Sequence, residues 1–272
     1  MTNVLKLGGG AGVEHTPALR DLAARIQEGE QWVLVHGASA ATNHLAQQVG
    51  YTIQTITSPG GHISRYTDAR MIEIYGAAAA SVNQQITAQL VSYGVQAVGL
   101  AGPQVIRARR KQAIRAVREG RPVIIRDDYS GTITSLDTLT LKTLLNVGLT
   151  PVIAPIALGE EFERLNVDGD LVAATIAREL DAEKLIILSN VPGLLRDVDD
   201  PASLVRRFTL DELERYTPLA EGRMKKKLLA AEQARIEHVI LADARVEAPI
   251  ASALTGAGTH ILREVSYVEH FA

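Results

Sequence analysis

Short apolar runs alternate with helical patterns along most of this chain, and this alternation limits the fold more than any other feature. Runs rich in valine, isoleucine and leucine are followed by segments whose apolar residues recur at helical spacing. Buried parallel strands carry such continuous apolar runs, because helices cover both faces of their sheet. The sequence therefore predicts an α/β fold, a three-layer αβα sandwich with a mainly parallel central sheet.

One segment breaks this alternation and predicts a β-hairpin insertion. Residues 113–117 and 122–126 flank a turn at Glu119-Gly120-Arg121, and Tyr129-Ser130-Gly131 is a second predicted turn. Gly159 and three glutamates interrupt the apolar rhythm and predict a boundary at 157–164. The predicted strands are 4–7, 32–35, 95–100, 152–154, 185–188 and 239–242, and the predicted helices are 18–26, 39–49, 68–92, 136–147, 169–180 and 224–235.

The composition is that of an ordinary globular enzyme. The chain has 272 residues, a net charge of −3 and no cysteine, which excludes a disulfide framework, thiolate zinc sites and cysteine nucleophiles. This charge argues against nucleic acid or an anionic membrane as a partner. The start shows no signal-peptide pattern and no apolar stretch approaches the roughly 18 residues of a membrane span, so we expect a cytoplasmic protein.

The run Gly8-Gly9-Gly10-Ala11-Gly12 lies between a predicted strand and a predicted helix. Backbone N–H groups and a helix N-terminus in this context favour phosphate binding. The spacing fits neither the dinucleotide fingerprint nor the Walker A loop, and a tight turn without a ligand is the alternative. Lys6 favours the phosphate site, because a lysine within an apolar strand is costly to bury unless it meets an anion.

A second junction from strand to helix is His36-Gly37-Ala38-Ser39-Ala40. It approaches the G-x-S-x-G nucleophile elbow of serine hydrolases, but Ala41 stands where the last glycine is needed. We favour backbone amides that approach a ligand, with a hydrolase as the alternative. Further along, Arg65 precedes a long helix and is a candidate to bind a carboxylate, whereas a solvated loop arginine is the simpler interpretation.

Charged residues open two helices of the second half. The segment Asn166-Val167-Asp168-Gly169-Asp170 resembles the start of a calcium loop, but Thr175 stands where an EF-hand requires glutamate. N-capping by an aspartate is the simpler alternative. The segment Gly222-Arg223-Met224-Lys225-Lys226-Lys227 places cations at a helix N-terminus, where they oppose the macrodipole and imply an anionic partner.

In their order and spacing these motifs resemble the amino acid kinase family, which includes acetylglutamate kinase, aspartokinase and glutamate 5-kinase. The likeness covers nearly the whole chain. The resemblance implies the amino acid kinase fold, with residues 1–160 binding the substrate and its carrier and residues 161–272 binding ATP. It rests on K-L-G-G at 6–9, H-G at 36–37, the loop before Arg65, N-x-D-x-D at 166–170, the segment 189–195 and G-x-M-x-x-K at 222–227.

The family likeness implies that the chain transfers a phosphoryl group from ATP to a carboxylate, with magnesium bound to the ATP phosphates and no protein metal site. Two lysines would stabilise the phosphoryl charge from opposite sides, and one aspartate would orient them. No general base is needed, because the attacking carboxylate is already ionised. The implied sets are catalytic Lys6, Lys227 and Asp170; substrate-binding Gly37, Ala38, Arg65 and Asn166; and nucleotide-binding Gly8, Gly9, Ser189, Asn190 and Gly193.

Within the family, the chain is most similar to the kinases that act on 2-aminoadipate or glutamate attached to a small acidic carrier protein, LysW, in lysine or arginine biosynthesis. The likeness lies in Pro59-Gly60-Gly61 before Arg65, in 109–111 and in 128–132. Ala38 departs from the H-G-G that the family commonly has, and its methyl group is expected to tighten the turn. The acceptor can be aminoadipate or glutamate, since they differ by one methylene.

A basic segment supports the carrier. Seven basic residues and one acidic residue lie between positions 107 and 121, in a chain of net charge −3. A basic hairpin on an acidic protein suits an acidic partner through complementary fields. We therefore interpret Arg109, Arg110 and Lys111 as carrier-docking residues, and a solvated hairpin is the alternative.

The sequence leaves two other functions open. The alternatives are an N-acetylglutamate kinase and a kinase-like protein that binds nucleotide or carrier without chemistry. Only five residues precede Lys6, so we expect neither the N-terminal helix of arginine-inhibited acetylglutamate kinases nor arginine inhibition through it. The family likeness also implies a homodimer, formed through the helix at 68–92, whose small residues at 76–81 permit close approach.

Overall fold

The computed structural model describes residues 1–59, 63–118 and 121–263. The predicted turn at Glu119-Gly120 and the predicted glycine pair Gly60-Gly61 lie outside the described residues. The strands are β1 Thr2–Leu7, β2 Gln31–His36, β3 Thr55–Thr57, β4 Ile63–Arg65, β5 Ala97–Leu100, β6 Ile106–Arg110, β7 Ile114–Arg118, β8 Arg121–Ile125, β9 Gly131–Leu136, β10 Thr150–Ile153, β11 Ile156–Leu158, β12 Arg164–Asn166, β13 Lys184–Ser189, β14 Arg207–Thr209, β15 His238–Asp243 and β16 Thr259–Leu262.

Helices separate most of these strands, and sequence signals set where several of them begin. Asp68 caps the longest helix through a hydrogen bond from Met71 N to its carboxylate, and Asp168 caps another in the same way. The helices are α1 Thr16–Gln27, α2 Ser39–Gln48, α3 Ala69–Ser92, α4 Thr138–Asn146, α5 Gly169–Glu179, α6 Leu213–Tyr216, α7 Arg223–Ala234 and α8 Pro249–Leu254.

The central sheet has eight strands in the order β14-β16-β15-β13-β1-β2-β10-β5. Every neighbouring pair is parallel except β15 and β16. Strands β5, β10, β2 and β1 come from the first part of the chain, and β13 to β16 come from the second. The predicted parallel sheet is therefore confirmed, and its two halves meet where β1 pairs with β13.

Helices cover both faces of this sheet, because successive strand residues point to opposite sides. Val33 and Val35 of β2 pack in one core with α4, α5 and α7, whereas Trp32 and Leu34 pack in a second core with α1, α3 and α8. Full burial of each such side chain contributes about 1.5–3 kcal/mol. The predicted three layers are confirmed.

The predicted hairpin is present as β7 and β8, but it belongs to more structure than the sequence indicated. It extends a small sheet of order β4-β3-β7-β8, and a second small sheet has the order β12-β11-β6-β9. These strands have three to six residues, too short for a clear hydrophobic period. Gly131 begins β9 rather than completing a turn, and a β-carbon there would lie 3.0 Å from the β-carbon of Ala108 and 3.1 Å from that of Leu165.

All six predicted strands and all six predicted helices overlap observed elements. No predicted end of these elements differs from the observed one by more than two residues; at 95–100, for example, β5 begins at Ala97, and at 136–147 Leu136 ends β9 before α4 begins. The predicted boundary at 157–164 coincides with the hairpin of β11 and β12. Within the described ranges, no helix is long and apolar enough to cross a membrane.

Candidate active site

The carboxyl ends of β1, β2 and β13 meet at one edge of the central sheet, at the junction of its two halves. The glycine loop follows β1, Gly37 follows β2, and Asn190 follows β13. In open α/β sheets, ligands bind in the crevice beyond the carboxyl ends of the strands. These loops line a cleft of about 1620 Å³ that contains all the predicted catalytic, substrate-binding and nucleotide-binding residues.

Lys6, Asp170 and Lys227 form a buried ion triad at the base of this cleft. Lys6 Nζ lies 2.7 Å from Asp170 Oδ1, and Lys227 Nζ lies 2.9 Å from Asp170 Oδ2. The three side chains are between 8% and 11% exposed. Each carboxylate oxygen therefore holds one ammonium group, so the single aspartate sets the separation of the two lysines.

Burial and charge act against each other within the triad. Burial favours a higher pKa for Asp170, but the charges of Lys6 and Lys227 outweigh it and hold that pKa well below its usual range. Burial, with repulsion from Lys6, lowers the pKa of Lys227. One buried anion against two buried cations leaves an excess of positive charge that a bound anion would neutralise.

Helix α5 delivers Asp170 to the triad. Asp168 accepts hydrogen bonds from Asp170 N at 2.9 Å and Leu171 N at 3.3 Å, which fixes the first turn. Its other oxygen lies 3.0 Å from Lys226 Nζ. The N-capping alternative for Asp168 is thus observed, alongside the buried ion pairs of Asp170.

The two glycine loops touch through their backbones. A β-carbon on Gly9 would lie 2.1 Å from the Gly37 carbonyl carbon, and one on Gly37 would lie 2.6 Å from Gly9 N. Gly37 N donates to Leu7 O at 2.8 Å, and Ala40 N donates to Gly9 O at 2.7 Å. Only glycine permits this approach, which forms a backbone cradle beside Lys6.

Ala38 is accommodated at the start of α2. Its φ is −136°, a value open to any residue, and its side chain is buried. The expected tightening of the turn therefore requires no left-handed backbone. Ser39, the residue of the serine-hydrolase alternative, begins α2, and its carbonyl oxygen accepts from Arg65 at 3.4 Å.

The predicted substrate residues Arg65 and Asn166 line the same cleft from the two small sheets. Arg65 Nη2 donates to Asn43 Oδ1 at 2.6 Å, and Asn166 Nδ2 donates to Thr67 Oγ1 at 3.1 Å. The structure therefore brings both residues to the cleft, at the ends of β4 and β12.

The predicted nucleotide residues lie at the β13 side of the cleft. Gly8 N donates to Leu188 O at 2.9 Å, which ties the glycine loop to β13. Gly193 has φ of 150°, and a β-carbon there would lie 2.5 Å from Thr259 Oγ1. Ser189, Asn190 and Gly193 all line the cleft, where the chain leaves β13.

The three predicted carrier-docking residues have different surroundings. Arg109 is exposed and pairs with Glu160 at 3.1 Å. Arg110 donates to Asp128 O at 2.9 Å and lies over the Tyr129 ring at 3.7 Å. Lys111 is exposed and lines the cleft. Arg109 and Arg110 lie on β6, so the basic segment is divided between two sheets rather than forming one hairpin.

Residues 1–242 match the sequence profile of the amino acid kinase family. The chain belongs to the amino acid kinase family. It is 41% identical over 264 residues to the [LysW]-aminoadipate kinase of Thermus thermophilus, covering 94% of this chain and 98% of that protein. It is 40% identical to the protein of the same name from Deinococcus radiodurans, covering 94% of this chain and 90% of that one. A relative from Nitrosopumilus maritimus, named as a putative [LysW]-aminoadipate/[LysW]-glutamate kinase, is 36% identical and is covered to 95% of its length.

Solved structures share the amino acid kinase fold with this chain. The N-acetylglutamate synthase of Neisseria gonorrhoeae, complexed with coenzyme A and N-acetyl-glutamate, superposes with a TM-score of 0.79 at 24% identity. The superposition covers 97% of this chain and 60% of that one. The carbamate kinase of Giardia lamblia bound to AMP-PNP superposes with a TM-score of 0.69 at 15% identity, covering 97% of this chain and 98% of that one. At these identities the likeness is one of fold.

Sequence reasoning about this family member missed a buried pair behind the glycine cradle. Asn83 Nδ2 lies 3.1 Å from His36 Nε2 and also donates to Val152 O at 2.9 Å. The amide therefore donates to Nε2, and the remaining proton on Nδ1 donates to Gly37 O at 3.3 Å. Burial lowers the pKa of His36 to about 4, which keeps the ring neutral at pH 7. A histidine at the end of an apolar strand is the one signal in the sequence that could have indicated a buried partner.

A second missed residue is Asp128, which is fully buried. Its two oxygens accept from Thr67 N at 2.8 Å and Ser130 N at 2.7 Å. Thr67 in turn accepts from Asn166, and Arg65 is two residues away along the chain. Asp128 therefore sets the spacing of the two predicted substrate residues. Its aspartate-rich position before a predicted turn gave no sign of this role.

Proposed function

We propose that this protein uses ATP to phosphorylate the side-chain carboxylate of 2-aminoadipate, or of glutamate, attached to a LysW-like carrier protein. The product is an acyl phosphate for lysine or arginine biosynthesis. The observation that carries the proposal is the pair Lys6 and Lys227, held by one buried aspartate beside a backbone cradle. The substrate class follows from the names of relatives that are 41% and 40% identical.

The cleft residues fit the phosphates of ATP. Gly9 and Gly37 let the two loops approach where a β-carbon on either would collide with the other, and the Gly9 amide and two buried ammonium groups would face the phosphates there. No cluster of three or more metal-ligating side chains occurs in the part of the chain that the structure describes. Magnesium is proposed to be held mainly by the nucleotide's own phosphates, where it would neutralise their charge.

The chain's residues act by charge and position. The substrate carboxylate and the γ-phosphoryl group are both anionic, so their approach is opposed unless cations lie beside them. Lys6 comes from the first half of the central sheet and Lys227 from the second, and Asp170 keeps the two ammonium groups in fixed places. The carboxylate oxygen bonds to the γ-phosphorus as the bond from that phosphorus to the ADP oxygen breaks, and no proton moves.

Arg65 and Asn166 are proposed to bind the substrate. The guanidinium group of Arg65 suits the α-carboxylate, which it would hold by two hydrogen bonds. The Asn166 amide suits the polar link between the amino acid and its carrier. Ala38 would contribute its backbone amide, and Gly37, whose own N–H already donates to Leu7 O, would contribute the close backbone approach beside it.

The carrier would dock beside Lys111, which lines the cleft and is exposed to solvent. Lys111 and the exposed Arg109 form the basic surface proposed for docking. Arg109 is available there by exchanging its exposed partner Glu160 for a carrier carboxylate. Arg110 fits this role less well, since its guanidinium group is already bound to Asp128 and Tyr129.

The proposal includes three features of organisation. Residues 1–160 would supply most of the substrate and carrier site and residues 161–272 most of the ATP site, and the division of the central sheet between β1 and β13 supports this. Gly8 and Gly9 of the first part would also bind nucleotide, and Asn166 of the second part would also bind substrate. A homodimer would form through Ala77, Ala80 and Ser81 of α3, which are exposed, whereas Ala78 and Ala79 are buried within the subunit. The cytoplasm, which supplies ATP, is the proposed location.

Acyl phosphate formation tests this function directly. We expect ATP-dependent product, trapped by hydroxylamine, from carrier-linked aminoadipate or carrier-linked glutamate. Faster turnover of free N-acetylglutamate would assign the chain to the N-acetylglutamate kinases instead. Nucleotide binding without product from any of the three acceptors would support the non-enzymatic alternative.

A further inference from the structure

Arg223 is the first residue of α7, and its side chain reaches across the cleft to the glycine loop. Its Nη1 atom lies 3.4 Å from the point that a β-carbon on Gly10 would occupy. Gly10 follows β1, in the first half of the central sheet, whereas α7 belongs to the second half. The guanidinium group therefore lies against the glycine loop, in the cleft that the two sheet halves share.

No contact of the Arg223 side chain stabilises the fold in a way that would account for its position. Its side chain is exposed, and among the described residues it has no hydrogen bond and no ion pair. A cation in the first turn of a helix also opposes the macrodipole. Glu221 lines the same cleft but forms no ion pair with it within the described ranges.

Several other cations line the same cleft as Arg223. Burial lowers the pKa of Arg65, and the nearby charge of Arg223 lowers it further against an opposing effect of Tyr75. Lys227 lies about one turn further along α7, and both it and Lys6 line the same cleft. Asp170 is the one carboxylate bound to these cations in the described structure, so the arrangement suits a ligand that carries several negative charges.

We infer that Arg223 is a further catalytic residue, which contacts the γ-phosphoryl group while it passes from ADP to the substrate carboxylate. This inference rests on the proposed function. The charge on the three phosphoryl oxygens is spread during transfer, and an arginine supplied to such oxygens commonly accelerates phosphoryl transfer by several orders of magnitude. The planar guanidinium would donate to these oxygens from beside Gly10, in addition to the two buried lysines.

The alternative is that Arg223 only packs on the glycine loop and keeps it in place. The two roles differ in what they change. A packing role affects the binding of ATP and ADP equally, because both have the phosphates nearest the loop. A contact to the γ-phosphoryl group affects a nucleotide that has this group and spares one that lacks it.

The test compares Arg223→Met with Lys225→Met. Both remove one positive charge from the first turn of α7, but Lys225 is exposed and does not line the cleft. In Arg223→Met we expect kcat to fall about 100-fold, with KM for the acceptor changed less than about 3-fold. With magnesium present, we expect its affinity for a non-hydrolysable ATP analogue to fall about 10-fold and its affinity for ADP to stay unchanged.

Lys225→Met is expected to match the wild type in every measurement. The inference is wrong if Arg223→Met behaves like Lys225→Met, or if it loses affinity for the ATP analogue and for ADP to the same extent. If the wild type forms no acyl phosphate, the proposed function fails, and the comparison of the two nucleotides still decides whether Arg223 contacts the γ-phosphoryl group.

Discussion

Lys6 Nζ lies 2.7 Å from Asp170 Oδ1, and this pair joins the first strand of the chain to the first turn of α5. The lysine projects from the centre of the sheet, and the aspartate reaches it from a helix that packs over that sheet. Lys227 completes the contact from a third element. The ion pairs of Asp170 therefore also hold β1, α5 and α7 together.

Replacement of Asp170 by Asn is expected to impair both activity and stability. The variant leaves two buried ammonium groups facing each other without a counter-ion, which costs about 3 kcal/mol of unfolding free energy. Because the lysines lose their fixed places, we expect kcat to fall about 100-fold or more. Denaturant unfolding and steady-state kinetics measure the two effects.

Asp168→Asn provides the matched control for Asp170→Asn. Asparagine also caps helices well, and Asp168 lies outside the buried pairs. We expect its unfolding free energy to change by less than about 1 kcal/mol. Equal losses in both variants would contradict the special role of Asp170.

His36 makes the folded protein sensitive to acid. Its pKa in the folded state is about 4, against about 6.5 for an unperturbed histidine. Below pH 6.5 the unfolded chain therefore binds a proton that the folded protein excludes. The contribution of His36 to the unfolding free energy is thus fully present above pH 6.5, and it is lost as the pH drops towards 4. Between pH 7 and pH 5 this loss amounts to about 2 kcal/mol.

The substitution His36→Gln removes that titration. We expect the unfolding free energy of this variant to depend less on pH between 7 and 5 than that of the wild type. Exposed His44 on α2 supplies the control His44→Gln, for which the wild-type dependence is expected. His238, whose pKa burial also lowers to about 4, is common to all three proteins and cancels in the comparison. Identical slopes for all three would refute the assignment.

Asp128→Asn is expected to weaken substrate binding from a distance. The amide nitrogen replaces an oxygen that accepts from Thr67 N or from Ser130 N, so one buried N–H loses its acceptor, at a cost of about 1–3 kcal/mol. Since Thr67 lies between Arg65 and Asn166, we expect KM for the acceptor to rise while KM for ATP changes little. Asp211→Asn, at an exposed aspartate that does not line the cleft, should leave both KM values unchanged; a similar rise there would rule out a specific effect.

The basic surface gives a prediction about carrier docking. Lys111→Glu places a negative charge at the cleft edge, so we expect KM for carrier-linked substrate to rise about 10-fold at low salt and the difference to shrink as salt increases. Lys142→Glu, an equal change of charge at an exposed residue of α4, is the control. An equal rise of KM in both variants would show that the net charge of the whole protein attracts the carrier, rather than a docking site at Lys111.

Arg110→Ala separates structure from docking on the same surface. Loss of the hydrogen bond to Asp128 O and of the contact with Tyr129 is expected to lower the unfolding free energy by about 2 kcal/mol. Thermal unfolding measures this loss. A normal melting temperature with a raised KM for carrier-linked substrate would instead assign Arg110 to docking.

The sequence revealed the strands of the central sheet because their apolar runs are long and continuous. Val4, Leu5 and Leu7 are fully buried in β1, and burial on both faces leaves a signal that any reader of the sequence can find. The short strands β3, β4, β11 and β12 escaped prediction. Strands of three residues have no period, and they form only because the rest of the fold brings their partners alongside.

The site shows the same division. The sequence by itself determined which residues were costly to bury without a partner: Lys6 in an apolar strand, Lys227 at the start of a helix and Asp170 after a capping aspartate. Only the tertiary structure decided that these three partner one another, because chain spacing does not fix a contact between a strand and two helices. It also decided that Arg110 is held by Asp128, that His36 meets Asn83, and that Arg223 lies over Gly10. Those contacts depend on how the sheet halves pack, which is a property of the folded core.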